Sequence, residues 1–143
     1  MQLSEENRRT LPIAANKAVE EYASYHANAL LQSQDNELAY PPNGGFTPEE
    51  TEALKLLQNN AVMASAVRKV LADCAAGVLF DLLNLIDGTT EPMQGEWNEV
   101  ILVDKPKDDE TLREFLHDEF FETYWDWRNI RPDKTWHLDL LPE

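Results

Sequence analysis

The stretch AVMASAVRKVLADCAAGVLFDLLNLI, Ala61–Ile86, is the longest apolar run in the chain, and its reading decides the fold. At helical spacing Met63, Val67, Val70, Cys74, Val78, Leu82 and Leu85 form one continuous apolar face. From Ala72 onward the other faces turn apolar too, through Ala75, Ala76, Leu79, Phe80, Leu83 and Ile86. A helix apolar nearly all round is expected to be buried on several sides, so this one is read as the core helix. Ala72, Ala75, Ala76 and Gly77 are small enough for a neighbouring helix to approach closely. Such an approach would give a packing reason for Gly77, which costs about 1 kcal/mol against alanine in a helix interior. A membrane span needs about 20 mostly apolar residues, and Arg68, Lys69, Asp73 and Asp81 interrupt the run too often for that. Asp87-Gly88 ends the helix, with the glycine suited to the left-handed position just past it.

Working outward, the chain has 143 residues and 43% hydrophobic content, which fits one domain with a real core. Twelve basic against 27 acidic residues give a formal net charge of -15. That argues against nucleic-acid binding, where phosphates require clustered Lys and Arg. It equally disfavours an anionic membrane surface and suits a basic protein partner, or simply high solubility. The single cysteine allows neither an internal disulfide nor a Cys-based zinc site. The polar opening MQLSEENRRT has no apolar core region, so no signal peptide is expected and the protein is read as cytoplasmic.

Upstream, Ser4 with Glu5 and Glu6 can cap a short first turn, and Thr10 with Pro12 offers a better helix start. From there to about Leu31, Ala15, Ala18, Val19, Tyr22, His26, Ala29 and Leu30 share a face. His26 lies on that face, where a hydrogen-bonded core histidine is the ordinary case. Residues 32–45, QSQDNELAYPPNGG, read as a loop. Thr47-Pro48-Glu49-Glu50 is the sharpest local signal: Thr47 as N-cap, Pro48 at the first helical position, Glu50 closing a capping box. That helix is expected to reach about Asn59, burying Leu54, Leu57 and Ala61, before a break or kink at Asn59-Asn60, with one long helix running on into 61–86 as the alternative.

Downstream, 97–103 (WNEVILV) and 135–140 (TWHLDL) read as strands of a small ribbon, which needs helices to support it. Between them a last helix spans 108–130, with Asp109 and Glu110 at its positive end and Arg128, Arg131 and Pro132 at its close. The expectation is therefore a mainly α, single domain of four or five helices around 61–86, with a minor two-stranded β element.

Local motifs name no reaction. Glu114-x-x-His117 has di-iron spacing, but such a site needs a second motif and two further carboxylates, and neither His26 nor His137 has a Glu three residues before it. Cys74 has no cationic neighbour in sequence to lower its pKa and reads as a small hydrophobe. There is no phosphate loop, nucleophile elbow, zinc helix or calcium loop, and no cofactor is expected.

The last helix carries what remains. Glu110, Glu114, Asp118, Glu122 and Asp126 recur every four residues, an acidic ridge in which like charges cost about 0.2–0.5 kcal/mol per pair. Leu112, Leu116, Phe120, Tyr124 and Trp127 lie opposite and suit packing, whereas Phe121 and Trp125 fall beside the acids. Charge rows ordinarily serve solubility. Aromatics among them suit an interface, so Glu114, Asp118, Phe121, Glu122, Trp125 and Asp126 are the candidate face for a basic partner. DNA mimicry is a poorer match. One row spaces its charges by about 6 Å, while a DNA strand carries a phosphate about every 3.4 Å. The competing function is a small enzyme or ligand-binding domain with its site near Asp73, Cys74 and Asp81, which requires those groups to converge in a pocket.

Overall fold

The computed structural model describes residues 3–32, 38–42, 44–98, 100–106, 117, 122 and 124–133. The fold is mainly helical: α1 (Glu5–Gln32), α2 (Pro48–Leu54) with a following 3-10 turn (Lys55–Leu57), α3 (Ala61–Ile86) and α4 (Tyr124–Ile130). Two compact units emerge, Met1–Gln34 with Leu57–Asp109, and Asp35–Leu56 with Glu110–Glu143.

In the first unit, α1 begins at Ser4 and not at Thr10. The Ser4 hydroxyl accepts from the Asn7 amide at 3.3 Å, and its carbonyl accepts from the Arg8 amide at 2.9 Å. The helix then runs through Pro12, which lacks an amide hydrogen and is normally costly in a helix interior. Asp104 adds a second anchor upstream of the proline. Its carboxylate accepts from the Ser4 amide at 3.2 Å and from Asn7 Nδ2 at 2.8 Å, at the electropositive end of α1. Capped twice, the first turns persist despite Pro12.

α3 starts where sequence placed the break. Asn59 takes a left-handed φ of 59°, and the Asn60 side chain accepts from the Met63 amide at 2.9 Å. It ends in a Schellman motif: Gly88, at φ 70°, donates to the Leu85 carbonyl at 3.3 Å, and Thr89 donates to the Asn84 carbonyl at 3.0 Å. The Thr89 hydroxyl adds a 2.7 Å bond to Asn84 Oδ1.

α1 and α3 pack together through small residues. Val19, Ala23 and Ala27 are buried on α1 and Ala64 on α3, and Arg68 Nη2 donates to Asn28 Oδ1 at 3.1 Å across the pair. Leu71, Ala72, Ala75 and Leu79 continue that side of α3 and are half-buried. The expected core face is therefore corrected. Met63, Val70, Cys74, Val78 and Leu82 are exposed, and only Val67 and Leu85 of that stripe are half-buried. The packed side is turned by about 100° around the helix axis. Two helices approach most closely where alanines meet, and that preference sets the rotation here over the larger side chains. Tyr22, expected inside, is exposed as well.

Residues 97, 98 and 100–103, read as the first strand, carry no regular secondary structure, and 135–140 lies outside the described residues. Without a paired neighbour among the described residues, this segment makes no ladder there.

In the second unit the capping box forms as read. Glu50 donates its amide to Thr47 Oγ1 at 3.2 Å, and Thr47 donates its amide to Glu50 Oε2 at 2.8 Å. Leu54 is half-buried, and the α-helix stops there, short of Asn59. Beyond it, in the first unit, Leu57 is half-buried and Ala61 is exposed where burial was expected. Among the described residues, no helix is long and apolar enough to cross a membrane.

Candidate functional site

Of the acidic–aromatic ridge, Glu122, Trp125 and Asp126 are described; Glu114, Asp118 and Phe121 lie outside the described residues. Glu122 and His117 are helical, as is α4, in keeping with the expected last helix. Glu122 and Asp126 stand one turn apart and are both exposed. Trp125 lies beside Glu122 around the helix and is half-buried.

Trp125 is held from two sides. Its ring meets Tyr124 edge-to-face at 5.1 Å, and the Arg128 guanidinium carbon lies 6.0 Å from its ring centre. Tyr124 in turn is buried and packs edge-to-face on Tyr40 at 5.4 Å, next to the fully buried Pro41. The Pro41 turn closes with a 2.8 Å bond from the Gly44 amide to the Pro41 carbonyl. A side chain at Gly44 would meet that same oxygen at 2.8 Å, so only glycine fits. The turn therefore positions Tyr40, Tyr40 positions Tyr124, and Tyr124 fixes one face of Trp125.

Sequence reasoning missed these supports. Arg128 follows Trp125 by three residues, a spacing that brings side chains together on a helix, and that signal was available. Tyr40 gives no local sign of meeting Tyr124, because the contact spans most of the chain. Trp127, assigned to the packing side, is 42% exposed.

Among the described residues, the groups of the competing site, Asp73, Cys74 and Asp81, do not converge on a shared hollow. All three are exposed on the helix surface. Hollows lined by Gly88, Thr90, Glu91 and Trp97, or by Leu3, Arg8, Ile86 and Val100, lie beyond the end of α3 or against the start of α1. His26, placed on the α1 face, is half-buried among aromatics. It stacks with Tyr22 at 6.3 Å and meets Tyr25 edge-on at 5.1 Å.

Comparison of the chain with protein-family models, with curated proteins and with solved structures finds no match.

Proposed function

We propose that this chain is a non-enzymatic binding protein for a basic protein partner, of the inhibitor or immunity-protein kind, working in the cytoplasm. The observation that supports it is the arrangement at α4: two exposed carboxylates one turn apart beside a tryptophan fixed between Tyr124 and Arg128. A ring already held in place loses little freedom on docking, so its buried area converts to affinity more fully. Carboxylates around it steer a basic surface toward it and speed association. The net charge of -15 acts in the same direction.

The test is capture of partners from the native cells at low and moderate salt, with three proteins: wild type, Glu122→Lys with Asp126→Lys, and Trp125→Ala. Charge reversal should abolish capture, and moderate salt should reduce it for the wild type. Trp125→Ala should weaken binding by about 2 kcal/mol, near thirtyfold, at both salt concentrations. Equal capture of the same protein by all three rules this face out as the site.

A further inference from the structure

The side of α3 turned away from α1 is exposed and carries large apolar side chains, with Val62 81%, Val70 61% and Phe80 67% accessible within about 80° of one another around the helix. Runs of large apolar side chains left open on one face mark interaction surfaces. We propose that this face binds a second copy of the same chain, α3 against α3 in antiparallel orientation about a two-fold axis near Leu71 and Ala72.

Three observations select that occupant. The first is charge. The chain carries -15, yet the exposed charges of α3 are one basic and two acidic, Lys69 against Asp73 and Asp81, so its open side is a nearly neutral strip on an acidic molecule. Two copies repel least when they meet there.

The second is the order of charges along the strip. Lys69 and Asp73 share one edge of the open face, are exposed, and have no ion-pair partner among the described residues. A two-fold axis level with residues 71–72 brings Lys69 of each copy within one residue, about 1.5 Å, of the level of Asp73 of the other, twice over. Parallel pairing would instead set Lys69 against Lys69 and Asp73 against Asp73. An isologous interface requires a self-complementary patch, and this order of charges meets the requirement only in the antiparallel arrangement.

The third is Gly77. A glycine in mid-helix costs about 1 kcal/mol against alanine, and a side chain added there would meet nothing within 4 Å. No packing among the described residues explains it. About the same axis Gly77 lies opposite Ala66 of the second copy. Gly77 and Ala66 thus face each other about 8 Å to either side of the axis, where small side chains let the two helices stay close.

The test is sedimentation of the full chain from low to high micromolar concentration, with helicity followed in parallel. Wild type should be a dimer. Val70→Glu, an exposed substitution that leaves the α1–α3 contact alone, should give a helical monomer. Lys69→Asp and Asp73→Lys should each weaken the dimer about tenfold, because each turns two attractions into two repulsions. The double variant Lys69→Asp with Asp73→Lys should restore it, since the reciprocal pairs reform with exchanged sign. A wild type that stays monomeric throughout overturns the proposal, whether another segment of the chain or a different protein covers the face. A dimer indifferent to Val70→Glu, or one that the double variant fails to restore, overturns it equally.

Discussion

Asp104 shows how one side chain can secure an element about a hundred residues away. The Asn7 side chain, then the Ser4 side chain and amide, donate to its carboxylate and hold its pKa below the usual aspartate value. The sign of the pH effect follows. A carboxylate whose folded pKa is depressed favours the folded state at pH above its unfolded value, and loses that contribution as pH falls through the folded one. Acid should therefore release residues 100–106 from the start of α1 before α3 unfolds. Hydrogen exchange measured from neutral pH down to below the normal aspartate range should show protection of the Ser4–Asn7 turn falling in that window. In Asp104→Ala the same turn should exchange fast at every pH. Protection that is indifferent to both pH and the substitution would mean that the Asp104 contacts do not hold this turn.

At the level of the helices, local chemistry was legible and rotation was not. The Thr47–Glu50 box, the Asn59-Asn60 break and the Gly88 terminus were each readable, because the residues that make them lie within a few positions of one another. The side of α3 that packs was misjudged for a definite reason. The stripe through Met63, Val70, Cys74 and Val78 is richer in large apolar groups than the stripe through Ala64, Leu71, Ala72 and Ala75. Hydropathy selects the first stripe, whereas close approach of α1 favours the second. The start of α1 was misplaced because Asp104, far along the chain, strengthens the Ser4 end. Of the candidate site, the spacing of Glu122, Trp125 and Asp126 was visible in sequence, but the Tyr40–Tyr124 support depends on folding. The rotation can be checked by substitution in the monomeric Val70→Glu background. Ala64→Leu should destabilise by about 1–3 kcal/mol through overpacking against α1. Val78→Ala should stay within about 0.5 kcal/mol, as an exposed change does. Denaturant unfolding that reverses this order would restore the face first read from sequence.

For the whole molecule the dominant long-range term is self-repulsion. A net charge of -15 on 143 residues opposes compaction at low ionic strength. The ion pairs Lys17–Glu21 and Lys55–Glu52 are exposed and three or four residues apart, and such pairs contribute little. Screening them loses little, while screening the repulsion gains across the entire surface, since the Debye length falls from about 30 Å at 0.01 M to about 8 Å at 0.15 M salt. Sodium chloride over that range should therefore raise the melting temperature by several degrees, at about 2–4 °C per kcal/mol for a chain of this size. Docking of a basic partner at Glu122 and Asp126 should weaken over the same range, because there the long-range charges attract. Association of two α3 faces should strengthen, because there the net charges repel and only Lys69 and Asp73 attract. One titration thus separates the three effects: calorimetry for folding, sedimentation for self-association, and capture for the partner. A melting temperature that falls with salt would mean that attractive pairs outweigh the net charge, and the electrostatic account of the chain would have to be reversed.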